Sequence, residues 1–169
     1  MLVIGIDPGL TGALAAIDHR GLQKVEDMPV MQRALARGKV KNQVNGAAVT
    51  QLLKEWTHDH DKVAVLVVLE HQAPFRIAGD KPQGSSSTFS LGHTAGILEG
   101  VVVALGLPHR EVTPGVWKKA LKLPGGAKNK GVVRSRAQRL YPEAPLTRVK
   151  DHNRAEAIML ARYGYEEHA

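Results

Sequence analysis

Leu2-Val3-Ile4-Gly5-Ile6-Asp7-Pro8-Gly9 is the stretch from which the fold can be read. An unbroken apolar run closes on an acid and then a Pro-Gly turn, the pattern of a buried strand followed by a tight turn. Working outward, Gly12 to Asp18 reads as a second strand and His19-Arg20-Gly21 as a turn into a third, Leu22 to Met28. Three strands this close predict an antiparallel meander. Val63 to Leu69 is the longest apolar run, β-branched throughout most of its length, and predicts a central strand buried on both faces. It ends in Glu70.

The helices are read between and after these strands. Val30 to Asn45 is basic, with Arg33, Arg37, Lys39 and Lys41, and its weak periodicity predicts a solvated loop. Asn45 is placed to cap a helix carrying Val49, Leu52, Leu53 and Trp56. Gln72 to Thr88, rich in Pro, Gly and Ser, predicts a loop. Phe89 to Leu105 follows as a helix with Gly92, Gly96 and Gly100 on one face, a spacing that predicts close packing on a sheet or partner helix. His109 to Val112 reads as a short strand. Thr113-Pro114 starts a helix to Leu121, and Pro124-Gly125-Gly126 breaks the chain. Two helices remain, from about Lys128 to Tyr141 and from about Asn153 to Tyr163, the last ended by Gly164. The order βββ-α-β-α-β-α-α-α predicts a mixed sheet with helices on both faces, a three-layer α/β domain over residues 1–169.

Composition narrows the function classes. The 169 residues contain no Cys, which removes disulfide scaffolds, Cys-zinc sites and Cys nucleophiles. No apolar run is long enough to span a bilayer. The N-terminus lacks a basic n-region and reaches an acid at Asp7, so it is not expected to be a signal peptide, and a cytosolic protein without a membrane partner is expected. A net charge of +7 suits a polyanionic partner, most simply nucleic acid. Aromatics are only 4% of the residues, which disfavours a multi-aromatic platform for single-stranded bases. There is no His-Glu-x-x-His, no P-loop and no nucleophile elbow.

Three acids sit where folding alone would not put them. Asp7 and Glu70 end the two most apolar strands, and Glu156 lies inside Ala155-Glu156-Ala157-Ile158-Met159-Leu160-Ala161. An acid at a buried strand end loses hydration unless something compensates it. A divalent cation is one compensator, since Mg²⁺ prefers oxygen ligands, a few carboxylates and substrate phosphate. Taken singly, Asp7 also reads as the first residue of a β-turn, Glu70 as an ion-pair partner for Arg76 or a lysine, and Glu156 as a solvent-facing helix residue.

Five segments carry a family likeness. Gly5-Ile6-Asp7-Pro8-Gly9-Leu10-Thr11-Gly12 resembles the opening motif of RuvC-type Holliday junction resolvases, in the ribonuclease H-like superfamily. Leu69-Glu70-His71-Gln72 resembles the second acidic motif, and Ser90-Leu91-Gly92-His93-Thr94-Ala95-Gly96 the helix after the loop. Val112-Thr113-Pro114-Gly115-Val116-Trp117-Lys118-Lys119 is similar to the segment before the basic residues, and Asp151-His152-Asn153-Arg154-Ala155-Glu156-Ala157 to the late acidic motif. The style is closest to the phage-encoded branch. The resemblance implies a ribonuclease H-like fold with a mixed five-stranded sheet flanked by helices. It implies a metal-dependent crossover junction endodeoxyribonuclease of a bacterial or phage-infected cell. Such an enzyme is a homodimer that binds four-way DNA and nicks two strands symmetrically, leaving 5′-phosphate and 3′-hydroxyl ends. Two Mg²⁺ ions, for which Mn²⁺ substitutes, are implied on Asp7, Glu70, Asp151 and Glu156. Lys118, Lys119, Lys128 and Lys130 match the family's DNA-binding basic positions, and Phe75 the apolar side chain set against junction bases.

One departure concerns the last motif, where the family places two ligands three residues apart. Here the residue three before Glu156 is Asn153, and the nearest acid is Asp151. On a helix, positions 151 and 156 lie about 140° apart, so Asp151 joins the site only from a loop ahead of the helix. Asn153 and His152 are its rivals. Other readings stay open: a nuclease for flaps, forks or RNA–DNA hybrids, or a junction-binding protein without catalysis. Asp7-Pro8-Gly9-Leu10-Thr11 also fits the phosphate motif of actin-like ATPases and sugar kinases, but 169 residues are too few for the second lobe those proteins need.

Overall fold

Strand β1 (Leu2–Asp7) is buried at every residue and forms the centre of the sheet. The computed structural model describes residues 1–34, 36–71, 85–125 and 130–168, with side chains at all of these except 37, 85–87 and 130. β2 (Ala13–Asp18) and β3 (Gly21–Asp27) follow as the expected antiparallel meander. On the other side β1 pairs in parallel with β6 (Val65–Glu70), which pairs in parallel with β7 (His109–Val112). The sheet order is therefore β3-β2-β1-β6-β7, five strands of mixed direction.

The strand alternation divides the core in two. Leu2, Ile4 and Ile6 of β1, with Val65, Val67 and Leu69 of β6, face a layer built from α1 (Gly46–Thr57) and α2 (Ser85–Ala104). Val3 and Val68 face the opposite layer, α3 (Pro114–Ala120), α4 (Lys130–Leu140) and α5 (His152–Glu166). Asn45 caps α1 as expected, its side-chain oxygen accepting from the Ala48 N–H at 3.1 Å. Thr113 and Pro114 start α3, although the Thr113 hydroxyl makes no capping hydrogen bond.

Helix α5 lies directly on β1 because both surfaces are shaved. A Cβ on Gly5 would stand 2.3 Å from the Ala157 carbonyl oxygen, and one on Gly164 would stand 2.6 Å from a Val68 methyl. Gly164 therefore does not end the helix, as its position in the sequence suggested. It lies inside α5, which continues to Glu166, and its missing side chain is what lets the helix approach the sheet.

Two other expectations change. Val30 to Asn45 is not a plain loop: β4 (Val30–Ala34) and β5 (Val40–Val44) form an antiparallel hairpin, solvent-exposed along most of its length. Its ends are anchored by buried Met28 and Val44, while its strands are exposed on both faces and so carry no burial alternation to read. Helix α2 begins at Ser85, inside the expected loop. Among the described residues, no atom outside the helix's own backbone lies within 4 Å of where a Cβ on Gly92, Gly96 or Gly100 would be, so the expected close packing is not seen there. Among the described residues, no helix is long and apolar enough to cross a membrane.

Candidate active site

Parallel pairing brings the first two acids together. The register that sets Ile6 opposite Leu69 carries Asp7 to Glu70 one step further on. Both follow the alternation of Val3 and Val68, so both side chains belong to the face covered by α5. Asp7 is 8% exposed and leads into the turn closed by the Gly12 N–H on the Gly9 carbonyl. Helix α5 brings Glu156 to the same face.

Glu70 and Glu156 are joined through two residues of α3. The indole N–H of Trp117 donates to Glu70 Oε2 at 2.9 Å. The Lys118 ammonium donates to Glu156 Oε1 at 2.7 Å, with the two side chains 14% and 12% exposed, and lies 4.9 Å from the centre of the Trp117 ring. Burial pushes the Glu70 carboxyl above the ordinary carboxylate value. The Trp117 hydrogen bond opposes this, the negative Glu156 adds to it, and Lys118 opposes it. A desolvated carboxylate facing a second carboxylate is an arrangement that folding does not favour and a cation relieves.

Trp117 was quoted in the sequence motif without a role. The signal that could have assigned one is that a fully buried indole needs an acceptor for its N–H, and an acid ending the central strand is the acceptor nearest to hand.

The start of α5 settles where the neighbouring candidates point. Asp151 does lie ahead of the helix, in a 3-10 turn over Val149–Asp151. However, its carboxylate turns to Arg148: one oxygen accepts from the Arg148 backbone N–H at 2.7 Å and the other from its guanidinium at 2.9 Å. The side chain is 2% exposed, and Arg148 holds its carboxyl below the ordinary range. The Arg148 backbone N–H and guanidinium thus engage both oxygens of the carboxylate that the sequence reading offered to metal. His152 faces the Val149 carbonyl at 3.2 Å. Asn153, one turn before Glu156, donates its amide to the Thr11 carbonyl and so ties α5 to the loop after β1.

As placed, the acids do not close into a finished cluster: among the described residues, no three His, Asp or Glu side chains are grouped to hold a metal ion. The donor chemistry nevertheless fits a hard cation, because Asp7, Glu70 and Glu156 all offer carboxylate oxygens. Lys118 now supplies the positive charge at Glu156. Lys119 is exposed on α3 beside it. Phe75 and Lys128 lie outside the described residues, as does the side chain of Lys130.

Superposition on solved structures identifies the architecture. RuvC of Thermus thermophilus matches with a TM-score of 0.57 at 17% identity, over 99% of this chain and 97% of that one. This chain has the RuvC fold. The T. thermophilus RuvC in complex with a Holliday junction substrate matches with a TM-score of 0.55 at 19% identity, over 100% and 97% of the two chains. The fowlpox virus Holliday junction resolvase matches with a TM-score of 0.48 at 12% identity, over the whole of both chains. No protein-family model and no curated protein matches the sequence. In this RuvC fold, the ends of the two central parallel strands and the first turns of α5 make one edge of the sheet, and Asp7, Glu70, Asn153 and Glu156 stand along it.

Proposed function

We propose that this protein is a structure-selective DNA endonuclease that resolves four-way junctions by symmetric, metal-dependent nicking, as a single nuclease domain over residues 1–169. The observation that supports the reading is the placement of Asp7 and Glu70 at the ends of adjacent parallel strands of a RuvC-fold sheet, beneath the helix that bears Glu156, with the Glu70 carboxyl raised by burial and by Glu156. Asp7, Glu70 and Glu156 would hold the metal, two Mg²⁺ ions or Mn²⁺ in their place. Asn153, on the same helical face as Glu156 and already at the loop after β1, suits the fourth position better than Asp151, whose oxygens are engaged by Arg148. Bound metal lowers the pKa of an attacking water and stabilises the leaving 3′ oxygen.

The chain's own residues do the rest. Trp117 fixes the Glu70 carboxylate through its N–H, so that the acid faces the edge in one orientation. Lys118 and Lys119 offer ammonium groups to the phosphates that flank the cut, with Lys128, Lys130 and Phe75 as further DNA contacts. Lys118, paired with Glu156 here, would be free to turn toward phosphate if Glu156 held a metal ion. The products would carry 5′-phosphate and 3′-hydroxyl ends. Symmetric nicking requires two copies, and the open face of α2 at Gly96, Gly100 and Val103 is a surface on which a second copy of the chain would pack. The cytoplasm of a bacterial or phage-infected cell is the fitting compartment.

The test is incubation with a labelled four-way junction in Mg²⁺ or in EDTA. Paired nicks at symmetric positions in Mg²⁺ and none in EDTA support the reading. Tight binding without nicking in either condition would make the protein a junction binder instead.

A further inference from the structure

Phe89 and His93 stand one turn apart near the start of α2, with ring centroids 6.2 Å apart and planes inclined by 22°. Phe89 is 73% exposed. A phenyl ring left in water forgoes roughly 2 kcal/mol of burial, so packing among the described residues does not account for its position. The two rings line a groove of about 200 Å³ together with Arg33, Lys41 and Asn42 of the β4–β5 hairpin and Leu10 of the loop after β1. The Lys41 ammonium donates to the Ser90 hydroxyl and ties the hairpin to α2. None of the described residues lining the groove is acidic. Leu10, in the loop after β1, lines the groove, so the groove lies at the same end of β1 as Asp7.

We propose that this groove holds one unpaired base of the DNA strand next to the cleavage site, stacked on Phe89 and His93, with Arg33 and Lys41 on the flanking phosphates. This deepens the junction-nuclease reading and rests on branched DNA being the substrate. Aromatic faces stack on any base, and cations beside them hold the backbone. At roughly 200 Å³ the groove is smaller than the ~300–1,000 Å³ of pockets for whole cofactors or drug-sized ligands, which suits a single ring. The Asn42 amide offers both a donor and an acceptor to a base edge. Branch points supply such a base cheaply, because unstacking costs least where pairing is already broken. The reading also explains the hairpin. Two exposed strands are marginal on their own, and this pair contributes its cations and Asn42 to the groove.

The experiment uses the full chain in EDTA, so that no strand is cut, and a four-way junction with 2-aminopurine at the crossover. The fluorescence is expected to fall on binding as the probe base stacks. Phe89→Ala should abolish that quenching and weaken binding about tenfold, and Phe89→Trp should restore both. Arg33→Ala and Lys41→Ala should each lower the salt slope of binding by about one. Unchanged quenching and affinity in Phe89→Ala would overturn the proposal. So would a loss of affinity accompanied by a fall in molecular mass by light scattering, which would place Phe89 between two copies of the chain. Quenching that depends on Phe89 in a protein that never nicks in Mg²⁺ supports the groove and defeats the nuclease reading. Nicking with an unquenched probe does the reverse.

Discussion

Glu70→Gln should make the metal-free protein more stable while removing its cleavage. The substitution keeps size, shape and an oxygen to accept the Trp117 N–H. It removes a negative charge from a site where burial and Glu156 both disfavour it. An incompletely compensated buried charge costs about 1–3 kcal/mol, and Trp117 and Lys118 return part of that, so a net gain of about 1 kcal/mol is expected. For a chain of this size that corresponds to about 2–4 °C in Tm. The sign with pH follows from the raised pKa. Below the ordinary carboxylate value Glu70 is neutral in both folded and unfolded states, and the wild type bears no penalty. As pH rises through the folded value the penalty develops in the wild type alone. Melting both proteins in EDTA at pH 7 and at pH 4.5 checks this: the variant should lead at the higher pH and the gap should shrink at the lower one. A variant that melts below the wild type at pH 7, or a gap indifferent to pH, would refute the argument that Glu70 is held charged at a cost.

Trp117→Phe keeps the ring but deletes the donor to Glu70, so the acid limb of the cleavage pH profile should move to higher pH, as pH-rate measurements on a junction would show. Gly5→Ala drives a methyl toward the Ala157 carbonyl and should cost about 3 kcal/mol, or about 10 °C in Tm by calorimetry. Asp151→Asn loses the charged bond to Arg148 and about 1–2 kcal/mol of stability. The loss should be full above the ordinary carboxylate pKa and fade as pH falls through the lower folded value, with most cleavage retained. Asn153→Ala should cut cleavage at least tenfold in the same junction assay. Lys118→Ala should weaken junction binding and lower its salt slope by about one.

The parts of the fold that the sequence shows are those in which burial writes a pattern. The runs ending in Asp7 and Glu70 announce two strands buried on both faces, and the acids at their ends stand out because burial should exclude them. Glu156 stands out for the same reason within the alanines of α5. What escaped were features set by contacts far apart in the chain or by surfaces with no inside. The β4–β5 hairpin is exposed on both faces, with Val30, Met31 and Val40 left in solvent, so it shows no period-2 signal. Gly164 has the look of a helix stop, and only the approach of Val3 and Val68 reveals its packing role. Asp151 has the charge that a metal ligand needs, and nothing in the spacing shows that Arg148 folds back to take it. Trp117 acts on Glu70 across 47 positions, so only a buried indole's need for an acceptor, and no local pattern, points to the pair.

The central claim is that the acids gathered at the sheet edge cut branched DNA. Mapping the nicks on a four-way junction by the wild type and by Asp7→Asn, Glu70→Gln and Glu156→Gln, at concentrations where all four bind it, tests that claim most directly. The account predicts paired symmetric nicks by the wild type in Mg²⁺ and a loss of at least a hundredfold in each variant with binding retained. Near-normal nicking by the three variants, or nicking by the wild type in EDTA, would contradict it.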